Sequence, residues 1–256
     1  MGSGLTPRIH DTAAAGFSAG SGAYARGRPS YPQEAIDFLA DKIALGPGKK
    51  VLDLAAGTGK FTALLVPTGA EVVAVEPVKE MGDQLRSSVP GVDVLEGTAE
   101  AVPLPDASVD AVTVAQAFHW FDAPLALAEI ARVLNAGGDL AMLWNRRDES
   151  VRWVAHMNEL IRWHEFNQRS YETVDWAAAV AASRLYTPLK KSTFRYEQVL
   201  DRVGLEDRLR SVSYIAAKPE AEREQVVALG MTAVDGMSEP FVLPYNTLVF
   251  WCSKRS

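Results

Sequence analysis

A chain of 256 residues, 48% of them hydrophobic and 23% charged, is long enough to bury one large core without disulfides or structural metals. Its single cysteine, Cys252, excludes a disulfide framework and a thiolate metal cluster, and a formal charge of −6 argues against bulk attraction to a nucleic-acid partner. No run of 18 apolar residues occurs, and the N-terminus lacks the basic-then-apolar pattern of a secretory signal, so no membrane partner and a cytoplasmic location are expected.

Residues 1–30 are rich in Gly, Ala and Ser and read as coil, with aromatic and basic residues gathered in "AYARGRPSYP". Pro32 suits the first turn of a helix through "QEAIDFLADKI", stopped near "GPG". An alternation follows: strand near Lys50 to Leu54, helix from about Lys60, strand at "EVVAVE", helix from about Lys79, strand at "VDVLEG", strand at "VDAVTVAQ", helix at "PLALAEIARVL", strand at "GDLAMLWN". Short apolar strands joined by helices predict an open α/β sheet covered on both faces. The regular beat breaks after about Arg147. A long helix is predicted at "ESVRWVAHMNELIRWHEF", another at "TVDWAAAVAAS", then a Pro/Lys-containing stretch, a strand at "RLRSVSYIAA", an acidic helix from about Pro219, and a final strand at "NTLVFWC". The final strand is expected to pair antiparallel with its neighbour. The expected organisation is an N-terminal segment at 1–32, a core at 33–146 and 197–256, and a helical cap at 147–196. No heptad pattern advertises a partner chain, so a monomer is expected.

Asp53, Ala55, Gly57 and Gly59 form D-x-A-x-G-x-G at the end of the first strand. A phosphate cradle fails on chemistry, because Phe61 follows "GTGK" where Ser or Thr would be needed. A dinucleotide is disfavoured, since the Asp53 charge would oppose a nearby pyrophosphate but suit an amino group. The plainer alternative is a tight turn in which Asp53 holds backbone amides. The second strand ends in Glu76, followed by Pro77, and a carboxylate there can accept hydrogen bonds from vicinal ribose hydroxyls.

"VLDLAAGTGKFT", "VVAVEPVKEM", "GTAEAVPLPDASVDAVTVAQAFHWF" and "VLNAGGDLAMLWN", in this order, resemble the successive motifs of class I S-adenosylmethionine-dependent methyltransferases with a type 11 domain. The nearest resemblance is to the branch holding quinone-pathway and trans-aconitate methyltransferases. It covers about residues 20–145 well and the final strands loosely. It implies a seven-stranded, mostly parallel Rossmann-like sheet with an antiparallel last strand, S-adenosyl-L-methionine as cofactor and S-adenosyl-L-homocysteine as product. It also implies roles residue by residue. Asp53, Ala55 and Gly57 would surround the methionine amino end, Glu76 the ribose, and Thr98 and Ala99 the adenine, with Gly59, Pro77 and Met81 also at the cofactor. Gln116 and Ala117 would line the methyl-transfer mouth. Tyr24 and Arg26 would close the pocket over the methionine carboxylate. Thr98 stands where the family often has aspartate, and Ala55 replaces the first glycine of the fuller pattern.

Methyl transfer asks the protein for placement, dry surroundings and sometimes a base. His119, in "QAFHWF", is the candidate base, with Trp120 beside it for substrate; a histidine that merely orders the loop is the alternative. Arg146 and Arg147 follow the fifth strand and could meet an anionic acceptor, although adjacent residues need not face the same way. Trp153, His156, Leu160 and Trp163 recur at helical spacing, as a face that packs on the core or roofs an acceptor. No histidine pair with a carboxylate has metal-ligand spacing, so no metal is expected. The favoured function is methyl transfer to a small-molecule acceptor, one that is aromatic or carries a carboxylate. Transfer RNA or protein methylation, a nicotinamide oxidoreductase and a non-catalytic cofactor-binding regulator are the alternatives. Whether oxygen, nitrogen, sulfur or carbon is methylated stays open.

Overall fold

The computed structural model describes residues 27–166 and 175–255. Helix α1 (Gln33–Lys42) leads into β1 (Lys50–Leu54), α2 (Thr62–Leu65), β2 (Glu71–Val75), α3 (Lys79–Ser88), β3 (Asp93–Leu95) and β4 (Val109–Ala115). Helix α4 (Ala123–Val133) then runs straight into the long β5 (Leu134–Arg147). Its start is fixed by Asp122, whose side chain accepts from the Leu125 N–H, and by a proline in the first turn. Beyond β5 lie α5 (Arg152–Leu160), α6 (Trp163–Phe166), α7 (Trp176–Ser183), β6 (Lys190–Leu200), α8 (Arg202–Arg210), α9 (Ser213–Ala216), α10 (Glu220–Met231) and β7 (Phe241–Ser253).

The seven strands form one sheet in the order β3-β2-β1-β4-β5-β7-β6. Strands β1 to β5 are parallel, and β7 is antiparallel to both of its neighbours. Strand period decides which helices cover which face. Val51 joins Ile36 and Leu39 of α1 in one core layer, while Leu52 and Leu54 join Leu127 and Ile130 of α4 in the other. Each such side chain, fully buried, contributes roughly 1.5–3 kcal/mol. The chain proceeds from β1 toward one edge and returns to β4 on the other side, so a switch point lies between β1 and β4 at their C-terminal ends.

Three expectations for the second half are corrected. Residues 208–217 hold the end of α8, a turn and α9 rather than a strand: Asp201 caps α8 by accepting from the Gly204 N–H at 2.7 Å, and Leu205, Leu209, Val212 and Ile215 are buried at helical spacing. Residues 190–196, placed in the cap from sequence, belong to the edge strand β6, which is paired along its whole length with β7. The long helix at 149–166 is two helices, interrupted at Arg162 with φ of 55°. Its buried face is Val154, Met157, Asn158 and Ile161, while Trp153 is half-buried and His156 exposed.

The helices between residues 147 and 196 pack in two places. Val154, Met157 and Ile161 of the α5 region share a core with Leu205 and Leu209 of α8, Val227 and Met231 of α10, and Leu243 and Tyr245 of β7. Helix α7 packs elsewhere, placing Trp176 and Val180 beside Trp144 in the core under α4.

Candidate active site

At the switch point β1 turns through Ala55, Gly57 and Gly59, all in the left-handed region, at φ of 58°, 60° and 85°. The alanine carries steric strain there of about 1–2 kcal/mol, which accounts for the glycine of the fuller pattern. The two glycines serve different ends. A Cβ on Gly57 would meet nothing within 4 Å, yet its residue lines the cavity, whereas a Cβ on Gly59 would sit 2.8 Å from the Leu85 side chain of α3. Each substitution by alanine costs about 1 kcal/mol in backbone strain, and at Gly59 overpacking adds roughly 1–3 kcal/mol. Gly57→Ala should therefore keep most of its urea stability but bind ligand poorly, and Gly59→Ala should chiefly lose stability. Equal stability losses in the two variants would refute this division.

One cavity gathers Asp53, Ala55, Gly57, Glu76, Pro77, Met81, Thr98, Ala99, Gln116, Ala117 and Trp120, with Arg28, Tyr31 and Lys60 added from segments near the N-terminus and the loop. Gly59 turns toward α3, as its packing requires. Glu76 is 6% exposed and accepts from the Gly57 N–H at 2.8 Å on one oxygen and from the Val78 N–H at 2.9 Å on the other. Burial pushes its carboxyl above the ordinary range, opposed by these two bonds. Asp53 is fully buried; Thr62 donates to it at 2.6 Å and Thr113 at 3.3 Å. Burial drives it up to about 7, the two threonines pulling against that and Glu76 adding to it. Gln116, at the end of β4, is also left-handed, with φ of 60°.

His119 and Trp120 sit in a single 3₁₀ turn. The Trp144 indole N–H donates to His119 Nδ1 at 3.3 Å. An indole nitrogen only donates, so Nδ1 is the unprotonated nitrogen and Nε2 carries the hydrogen. A general base needs a lone pair aimed at the departing proton, and this one is engaged with tryptophan in the core. His119 is 9% exposed and does not line the cavity, whereas Trp120 does. Arg146 is exposed and Arg147 buried, as opposite faces of β5 dictate. Trp153 packs against the core shared by α5, α8, α10 and β7. Tyr24 and Arg26 lie outside the described residues.

Sequence reasoning missed Lys60, Arg28 and Arg208. Lys60 donates to the Arg28 carbonyl at 2.5 Å, and Arg28 donates to the Ser211 carbonyl at 2.8 Å. Burial, then Arg208 and Arg28, lower the Lys60 ammonium. Only the arginine clustering in "RGRP" hinted at this.

The family described as "Methyltransferase domain" matches residues 52–142. An uncharacterized methyltransferase of Mycobacterium tuberculosis is 43% identical over 237 residues, spanning 91% of this chain and 93% of the relative. The chain belongs to the methyltransferase family. A methyltransferase-like protein of Schizosaccharomyces pombe is 35% identical over 80% of each chain. The fold agrees with that of the cyclopropane synthase MmaA2 of Mycobacterium tuberculosis, at a TM-score of 0.61 and 17% identity, covering 98% of this chain and 100% of that one. Family and fold make this a class I enzyme, with S-adenosylmethionine implied as methyl donor. The residues present fit that donor. Each Glu76 oxygen has accepting capacity left after its backbone bond, as two ribose hydroxyls require. Thr98 Oγ1 is buried without a partner, where an adenine edge could bond it. Gly57 leaves open space on the ligand side.

Proposed function

We propose that this methyltransferase acts on a small-molecule acceptor admitted beside Trp120 and beneath the cap helices. The observation that carries the reading is the segment strapped across the cavity mouth. The Gly27 carbonyl accepts from Gln198, the Arg28 carbonyl from Lys60, and the Ser30 carbonyl from Asn145. Arg28, Pro29 and Tyr31 of this segment line the cavity, and the three bonds hold them against it, which favours a small acceptor and a dry reacting centre. The four sequence motifs incline the assignment toward the quinone-pathway and trans-aconitate branch, although all four lie in the half that holds the cofactor.

When bound, S-adenosylmethionine supplies an electrophilic methyl group on a cationic sulfur. The protein's part is to hold the ligands. Glu76 orients the ribose, Gly57 permits close approach, and Met81 and Ala99 pack against the adenine. Gln116 and Ala117 shape the mouth, and Trp120 with Phe121 offers an apolar wall to the acceptor body. His119, held by Trp144 and with its ring 5.0 Å from that of Trp120, supports this wall and takes no proton. Its replacement by glutamine, whose amide oxygen can still accept from the indole, should lower turnover less than tenfold and leave the pH–rate profile unchanged. Loss of the acidic limb of that profile would restore His119 as a base.

The reading is tested by calorimetric titration with S-adenosylmethionine, S-adenosylhomocysteine and NAD, followed by a metabolite screen with isotopically labelled methyl donor. Tight NAD binding with no response to the methyl donor would defeat it. So would labelling confined to transfer RNA or protein.

A further inference from the structure

Arg147 ends β5 and is 5% exposed. Its Nη1 donates to Asn158 Oδ1, and Asn158 is fixed in turn by donating to Glu149 at 2.8 Å. The Trp163 ring covers the guanidinium, 4.7 Å from its central carbon. The remaining donors, Nε and Nη2, are buried and have no hydrogen-bond partner. These two nitrogens form one edge of the planar group, with parallel N–H bonds, the fork that meets two coplanar oxygens.

Its electrical surroundings sharpen the point. The groups that bear on Arg147 are Arg208, Tyr245, Tyr214 and Arg28, and no carboxylate among the described residues is one of them. Burial, then these neighbouring cations, bring its guanidinium down to about 10. Arg208 is itself buried, donating to Tyr245 at 2.8 Å and to Ser211 at 3.2 Å. A buried cation without a counter-charge among the described residues is costly, and the fold places it beside others of the same sign.

Arg147 and Arg208 do not themselves line the cavity; the cluster reaches it through Arg28. Arg28 lines the cavity and shares Ser211 with Arg208. Two residues before Arg147, on the same face of β5, Asn145 holds the strap at Ser30.

We propose that Arg147 anchors the acceptor and that the acceptor is a carboxylic acid, both oxygens of one carboxylate seated on the Nε and Nη2 edge. This rests on the methyl-transfer reading of the adjoining cavity. Asn158 and Trp163 act as positioning residues that fix the fork, and Arg208 adds long-range attraction. Arg146, exposed on the opposite face, takes no part.

The test uses the full chain with small aromatic and unsaturated carboxylic acids, their primary amides, and phenyl phosphate. Two readouts are taken: labelled product formed from labelled methyl donor, and the thermal midpoint of the protein loaded with S-adenosylhomocysteine. Acids should be methylated or raise the midpoint, and the matching amides should do neither. Arg147→Lys, checked for folding by circular dichroism, should raise KM for the best acid at least tenfold, with kcat changed less than threefold and affinity for S-adenosylhomocysteine unchanged. Asn158→Ala, which frees the fork but keeps the cation, should raise KM by a smaller factor. The acid-against-amide comparison in the wild type decides the matter even where a variant fails to fold. Amides equal to acids, phenyl phosphate better than every acid, a folded Arg147→Lys with unchanged KM, or no acid active in either readout would overturn the proposal. Failure of the wild type to bind S-adenosylhomocysteine would instead remove the methyl-transfer reading beneath it.

Discussion

Glu76→Gln weakens binding of S-adenosylhomocysteine by about 2–4 kcal/mol, roughly 30- to 800-fold, while folding stability changes by only about 1 kcal/mol. The size follows from counting lone pairs. Both carboxylate oxygens accept a backbone N–H, from Gly57 and from Val78, and each keeps capacity for one ribose hydroxyl. Glutamine presents one oxygen and one nitrogen, and the nitrogen accepts nothing. Whichever way the amide turns, one backbone donor and one ribose contact lose their acceptor. Stability suffers less, because the buried charge that raises the Glu76 pKa is removed at the same time. Calorimetric titration beside urea unfolding measures both quantities. Unchanged affinity would take Glu76 out of the donor site, and a large loss of stability would make it a loop brace instead.

The parts of this site legible in the sequence are those in which chemistry and position coincide within a few residues. Gly57 and Glu76 are strand-end residues of unusual type, and a strand end in an open α/β sheet is where ligands bind. The parallel strands were readable because both of their faces are buried, so they appear as continuous apolar runs. Strand β6 was hidden because it is an edge strand with most of its residues partly or wholly exposed, leaving no apolar run to see. The helix α8 was misread because Arg208-Leu209-Arg210 and Ser211-Val212-Ser213 each alternate polar with apolar residues, while the capping residue, Asp201, lies seven residues upstream of Arg208. Arg147 was suspected, but its buried side was settled only by pairing with Tyr245 across β7. Arg208 enters from a helix some sixty residues away, and local pattern cannot report such a meeting. His119 is the same lesson reversed. Its residue type suits a base, yet the tautomer is fixed by Trp144, a partner one strand later.

Asp53→Asn should make the protein more stable at pH 8 by up to about 4 kcal/mol, with little change at pH 4. The fully buried carboxyl titrates near 7 in the folded protein, against an ordinary value of 3.8, chiefly because burial disfavours its charge. Below about pH 4 the group is neutral in both states and contributes no pH dependence. Between about 4 and 7 the unfolded chain gives up the proton while the folded chain retains it, so stability falls as pH rises, by at most about 1.4 kcal/mol per unit. Above 7 both states are ionised and the whole penalty is present. Asparagine removes the charge but keeps the shape. Its oxygen accepts from one threonine, and its amide donates to the hydroxyl oxygen of the other, which can rotate to receive it. Thr62 and Thr113 thus stay bonded. Urea unfolding of both proteins across pH 4 to 8 should give curves that nearly meet at the acid end and diverge toward neutrality. A constant offset would show that Asp53 titrates normally, and a variant less stable at pH 8 would show that its charge is compensated in the fold. The wild type keeps a carboxylate that costs stability at neutral pH, at the end of the strand that opens the donor cavity. On the donor-binding reading, that stability is given up so that a negative charge can stand opposite the cationic amino end of the ligand.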